Sequence, residues 1–151
     1  MGIIVDVPKR KTSPILARLA KYWLPPIVWA GIIYSFSSIP MSGTTQIYWR
    51  DFLFKKTAHV VEYAVLAGLL YRALKESGMD KISAGYTAIL ICLLYGATDE
   101  LHQSITPGRQ PKARDIFFDT IGAVFAIYSI WNLLPKAPKR LFSLAKRLEL
   151  L

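Results

Sequence analysis

His59, Glu62 and Tyr63 stand at i, i+3 and i+4, and Asp99, His102 and Gln103 repeat that spacing later in the chain, with Glu100 one position round. Asp115, Asp119 and Gly122 make a third stripe of the same kind. Residues three and four apart share a helix face, so each group aims its side chains one way. Two chemistries fit these residue types. His59, Glu62, Asp99, Glu100, His102, Asp115 and Asp119 are eligible ligands for a divalent metal, since mixed imidazole and carboxylate donors suit zinc or manganese. The spacing is HxxE rather than the HExxH of a zinc protease, so no particular metal is indicated. Alternatively, His59 or Glu100 exchanges protons while Arg109 clamps a phosphate or carboxylate, with Asp115 and Asp119 orienting the arginine or a bound cation. Tyr63 and Gln103 would then supply neutral hydrogen bonds. No Gly-x-Ser-x-Gly elbow and no Cys-His pairing offers a nucleophile, and Ser104 and Thr106 read as ordinary loop residues.

The elements that must position these groups read as membrane spans. Hydrophobic residues make up 53% of the 151-residue chain, more than a soluble domain of this size usually carries. Candidate spans cover residues 22–38, 57–74, 82–101 and 116–134, each 17 to 20 residues long. A hydrocarbon core about 30 Å thick needs ~20. The expectation is an all-α polytopic membrane protein, a four-transmembrane-helix bundle over 22–134. A basic segment (1–21) precedes it and a basic amphipathic tail (135–151) follows. Pro25 and Pro26 fall in the first turn of span one, where a missing N–H costs little. Gly78 and Asp80 mark a tight turn after span two, Pro107-Gly108 the exit from span three, and Pro135 and Pro138 the end of span four. The basic front of span one, followed by Ser35 and Ser37, has the outline of a signal peptide. Its cleavage would leave the basic tail on the outer side, so span one is expected to be retained.

Charge sets the orientation. Thirteen Lys and Arg lie on the side of the two ends and the span 2–3 turn, against six on the other side: Arg50, Lys55, Lys56, Arg109, Lys112 and Arg114. The positive-inside rule then puts both ends in the cytoplasm. The net charge of +9 sits in flanks rather than in a basic surface interleaved with aromatics, which argues against a nucleic-acid partner. Cys92, the single cysteine, lies mid-span as an inert packing thiol and allows no internal disulfide.

On this map Glu62, Asp99, Glu100, Asp115 and Asp119, five of the ten acids, fall at one extracytoplasmic depth. An ionised group at the centre of a membrane-spanning helix costs ~2.5–3.5 kcal/mol on the lenient scale, so such groups turn inward and find partners. Three polar stripes at one depth are expected to form one shared pocket. The plainer alternative is a polar network that only locks the helices together, although interhelical hydrogen bonds supply only about 0.6–2 kcal/mol each. A transport path is disfavoured, because spans two to four carry no acid in their cytoplasmic halves. In the tail, Leu141, Leu144, Ala145 and Leu148 oppose Arg140, Ser143 and Arg147. That pattern suits either an interfacial helix on anionic lipid or a frayed basic segment.

At these residues the chain resembles the VanZ-like membrane protein family. The likeness runs from SFSSIP (35–40) through KTAHVVEYAVLAGLLYRAL (56–74) and is densest in LLYGATDELHQSITPGRQPKARDIFFDTIGA (93–123). Lys56, His59 and Tyr63 match its span-two motif, Glu100 and Gln103 its span-three motif, and Pro107, Gly108 and Arg109 the turn that follows. Asp115, Asp119 and Gly122 match the start of span four, with Asp119 standing where many members have Asn. The resemblance implies an outward-facing role in the cell envelope, the family being named for a protein linked to low-level resistance to glycopeptides such as teicoplanin. The ligand expected on these grounds is a membrane lipid, a lipid-linked envelope precursor or an amphipathic antibiotic. A membrane-embedded hydrolase or transferase on phospholipid or lipid-pyrophosphate is the alternative, and a structural assembly partner a third.

Overall fold

The computed structural model describes residues 14–39, 49–107 and 112–151. Four long helices, α1 (Pro14–Ser37), α2 (Trp49–Glu76), α3 (Lys81–Ser104) and α4 (Ala113–Tyr128), are followed by a π turn (Ser129–Leu133) and a 3-10 turn (Leu134–Lys136). A short α5 (Lys139–Arg147) closes the order, and no strand occurs among the described residues. The fold is all-α. Two helical stretches, Lys81–Ser104 and Ala113–Lys136, are long and apolar enough to cross a membrane by length and composition. By the same measure α1 and α2 do not qualify. Trp23, Pro25, Pro26, Trp29 and Tyr34 dilute the hydropathy of α1, while α2 carries Lys56, His59, Glu62, Arg72 and Lys75.

Several boundaries depart from the sequence reading for physical reasons. α1 and α2 begin well before the apolar runs that mark them, because helical hydrogen bonding does not require apolar side chains. Pro25 and Pro26 therefore lie inside α1 rather than in its first turn, where each removes the N–H that would bond the carbonyl four residues back. α3 begins as its sequence demands. Asp80 caps it, accepting from Ile82 N and Ser83 N at 3.0 Å, and those bonds hold the Asp80 carboxyl below its ordinary range. Gly78, at φ 103°, closes the end of α2 with Met79 N bonded to Leu74 O at 3.2 Å. Regular α-helix in α4 stops at Tyr128 instead of running to residue 134. Pro135 cannot donate to the carbonyl of Trp131, and the preceding turn widens.

The helices alternate in direction. Arg18 near the start of α1 reaches Glu76 O at the end of α2 (2.7 Å), while Ser37 at the end of α1 meets Gln103 at the end of α3 (2.8 Å). The core lies between α2, α3 and α4, with Ile33, Leu66, Leu70, Cys92 and Ile127 buried at its centre. Small residues set the spacing. α3 buries Ala84, Gly85, Ala88, Cys92 and Gly96 along one face. A Cβ on Gly85 would come 2.1 Å from Trp131, and one on Gly122 would come 2.2 Å from the Val60 carbonyl oxygen. Such approaches are how helices gain dispersion contact where lipid removes the hydrophobic drive between them. At the far end α5 folds back, burying Ala145, with Glu149 bonded to Lys21 (2.6 Å) and Arg72 (3.0 Å).

Candidate functional site

α1 and α3 finish, and α2 and α4 begin, at the same end of the bundle, and there the polar residues gather. α2 presents Lys56, His59 and Tyr63 on the face packed against α4, the close approach at Gly122 bringing the two backbones together. Lys56 Nζ lies 2.5 Å from Asp115 Oδ1, both side chains 12% exposed, and Arg114 Nε reaches the same oxygen at 3.8 Å. One turn deeper, His59 Nδ1 meets Asp119 Oδ1 at 3.1 Å. Asp119 is 1% exposed. Its other oxygen and the Tyr63 hydroxyl both border Gly96, at 3.2 and 3.5 Å from where a Cβ would stand. Glycine at 96 therefore leaves room for two polar groups against α3.

α3 contributes the other half. Asp99 Oδ2 accepts from Gln103 Nε2 at 2.9 Å, and the same amide donates to Ser37 Oγ on α1 at 2.8 Å. Glu100 Oε2 accepts from Lys112 N at 2.6 Å, fastening the entry to α4. His102 pairs with Ser38 Oγ at 3.0 Å and packs its ring on Tyr34, centroids 4.5 Å apart. Two atoms stand out within this network. The Tyr63 hydroxyl and Asp99 Oδ1 are buried without a hydrogen-bond partner, and Tyr63 is 0% exposed. A buried polar atom left unpaired costs about 1–3 kcal/mol.

Of the residues singled out from sequence, Lys56, His59, Tyr63, Asp99, Glu100, His102, Gln103, Asp115 and Asp119 are brought to this end. Glu62 lies within electrostatic reach of His59, Asp99 and Asp119 but shows no side-chain hydrogen bond to them. Its side chain stays half-buried, and its backbone carbonyl accepts from Trp29 Nε1 at 2.9 Å. Arg109, with Gly108, lies outside the described residues. Among the described residues no three His, Cys, Asp or Glu side chains converge as a metal site requires. Asp115, Asp119, Asp99 and Glu100 are each bound instead to a partner of their own, Lys56, His59, Gln103 and the Lys112 amide. The described part of the cluster is a close-packed network, and two surface hollows of about 430 and 400 Å³ lie elsewhere, along α5 and on the Phe117–Phe125 face of α4. Sequence reasoning missed Ser37 and Gly96. A serine near a span end most often bonds its own helix, as Ser35 and Ser38 do to Gly31 O and Tyr34 O. Nothing local separates Ser37 from them.

A family model described as VanZ/LLP1 matches residues 11–134. The chain belongs to the VanZ family. The match takes in the polar cluster and all of α1 to α4, and stops before α5. Membership in the family and two helices long and apolar enough to span together point to a membrane protein. No curated protein and no solved structure is significantly similar to it.

Proposed function

We propose that this VanZ protein crosses the envelope membrane four times, with both ends in the cytoplasm, and that its polar end binds the head of a lipid-linked or amphipathic ligand. The orientation rests on the distribution of Lys and Arg, which favours the α5 end as cytoplasmic. The bundle can hold α2 in the membrane because Lys56 and His59 face Asp115 and Asp119 rather than lipid. One observation carries the binding reading: a buried donor, the Tyr63 hydroxyl, and a buried acceptor, Asp99 Oδ1, both unpaired within a network whose other polar atoms are largely satisfied. A head group bearing hydroxyl or amine donors with an acceptor nearby would satisfy both. Arg109, next to the cluster in sequence, would add a grip on phosphate or carboxylate. Such a protein would sequester or shield an envelope component and give glycopeptide-type resistance.

The test is resistance in a host susceptible to teicoplanin. Expression of the wild-type chain should raise the inhibitory concentration, and Tyr63→Phe, Asp99→Asn and Arg109→Ala should each remove the gain while accumulating normally in membranes. Variants that insert at wild-type levels and protect equally well would sink the reading.

One contact favours a second reading. His59 is held through Nδ1 by buried Asp119, which orients the ring and leaves Nε2 to take a proton from water, as in acid–base hydrolases. That reading predicts turnover of phospholipid or lipid-pyrophosphate that His59→Gln abolishes. A panel of such lipids left intact by the purified protein, with and without added divalent metal, would remove it.

A further inference from the structure

The cytoplasmic-side helix α5 carries a surface of its own, independent of whatever the polar end binds. Leu141, Leu144 and Leu148 are 52, 51 and 46% exposed, and their spacing of three and four sets them in one stripe. Lys139, Arg140, Lys146 and Arg147 are exposed as well. Lys139 and Lys146 fall on the opposite side of the helix, while Arg140 and Arg147 stand four and three residues from Leu144 and so flank the leucines. Phe142 and Ala145 run along the flank between, and Ala145, 3% exposed, is the contact with the rest of the molecule. The helix is thus held by its side. One edge offers leucines bordered by two arginines, the other two lysines, and among the described residues nothing covers either. A hollow of about 430 Å³ is bounded by Lys139, Arg140, Ser143, Leu144 and Arg147, so cationic and apolar groups border the same space.

The posture of α5 is fixed from beyond its end. Leu150 N bonds Ala145 O at 3.0 Å, and Glu149 sits at φ 61°, a conformation that glycine takes readily and glutamate does not. That disfavoured turn delivers the Glu149 carboxylate to Lys21 and Arg72, on α1 and α2. Backbone strain that survives because it aims a side chain usually marks a device rather than an accident. Here the device sets the roll of α5 about its own axis.

We infer that α5 is a docking helix for an anionic lipid leaflet, its three leucines entering the head-group boundary and Lys139, Arg140, Lys146 and Arg147 surrounding lipid phosphates. Residues 137–148 contain four cations and no acid, a charge complementary to an anionic bilayer surface. Exposed leucines flanked by arginines, set beside the Ala145 contact rather than beneath it, are the geometry of a helix lying flat beside a bundle at the membrane plane.

The test uses the full-length protein in vesicles of phosphatidylcholine, with or without phosphatidylglycerol. Spin labels are placed at Leu144→Cys or Ser143→Cys. Cys92 is buried, and the parent chain carried through labelling reports any signal from it. Relaxation by oxygen and by a water-soluble nickel chelate reads lipid against water. In vesicles with phosphatidylglycerol, oxygen should act several times more strongly than nickel at position 144, and the ratio should reverse at 143. Replacing Lys139, Arg140, Lys146 and Arg147 together with Gln should bring the ratio at 144 to what neutral vesicles give. Three results would overturn the inference: nickel reaching 144 as freely as 143 in both vesicles, 144 shielded from both reagents by a protein partner or second copy, or equal immersion with and without phosphatidylglycerol.

Discussion

At the polar end Lys56 meets Asp115 with both side chains 12% exposed, whereas at the opposite end Lys21 meets Glu149 with side chains 53 and 32% exposed. The distances are alike, 2.5 and 2.6 Å, yet the two contacts do different things. Water screens the exposed pair, so its worth is small, depends on salt and lies mainly in orienting a tail. The buried pair has given up most of its hydration, so loss of either ion leaves the other poorly compensated. The polar end is also wired across helices, with α1, α2, α3 and α4 all contributing a partner, while the basic end joins α5 to α1 and α2 through one carboxylate. A network of the first kind can hold a buried functional group in place. A link of the second kind can be made and broken.

Breaking the buried pair should have the largest effect. Asp115→Ala leaves the Lys56 ammonium without its closest counter-charge, and loss of one partner of a buried ion pair costs roughly 3–5 kcal/mol. Thermal unfolding in detergent should show it as a marked drop in Tm. The double variant Lys56→Met, Asp115→Leu should recover most of the loss, because two apolar side chains need no partner. Failure of the double variant to recover would mean that the pair is not acting as an isolated buried contact. Next in size is Gly122→Ala. Its methyl would meet the Val60 carbonyl at 2.2 Å, backbone against backbone with no side chain to give way. Overpacking of this kind costs typically 1–3 kcal/mol, and cross-linking between α2 and α4 should report their separation.

Tyr63→Phe sharpens the contrast between holding and working. If the hydroxyl were part of the glue, its loss would lower Tm as the other polar-end variants do. An unpaired buried hydroxyl instead contributes nothing to hold the bundle, so Tm should stay level or rise by the equivalent of about 1 kcal/mol. Protection against teicoplanin should fall in the same variant. A melting loss with unchanged protection would make Tyr63 a packing residue.

The sequence carried the depth and the faces of this site further than its wiring. Periodicity put His59, Tyr63, Asp99, Gln103, Asp115 and Asp119 at one level, because spacings of three and four and distance along a span are both written in residue order. Which acid takes which cation is not written there. Asp119 rather than Glu62 receives His59, and Asp115 rather than Glu100 receives Lys56, since those choices follow from the rotation of α2 against α4 around Gly122. The elements behave in the same way. The start of α3 is legible to within a residue, since Asp80, read as part of a turn, caps it. Its end runs on to Ser104 past the apolar residues, and α1 and α2 start earlier than the hydropathy that reveals them. The share of α1 in the cluster, through Ser37, is a matter of tertiary placement alone.

The smallest effect belongs to Glu149, and it tests whether the basic end is a separable link. Hydrogen bonds from Lys21, and then from Arg72, hold the Glu149 carboxyl below its ordinary value of 4.5. The Lys21 ammonium is raised above 10.5, chiefly by its bond to Glu149. A depressed carboxyl contributes fully above its unfolded value and loses that contribution as pH falls through the folded one. A raised ammonium contributes fully below its unfolded value and loses it as pH rises through the folded one. The link should therefore hold across neutral pH and fade at both extremes. Amide protection factors at Leu148 and Leu150 in detergent, which divide out the intrinsic pH dependence of exchange, read it directly and should fall in acid and in strong base. Glu149→Gln keeps the strained turn but removes the charge, so at neutral pH it should show the lowered protection of the acid state. Glu149→Gly removes the charge and also relieves the positive φ, so its exchange should fall between wild type and Gln. If Gly and Gln were equally loosened, charge alone would hold the tail. If Gly matched wild type, the turn would hold it and the salt links would only decorate it.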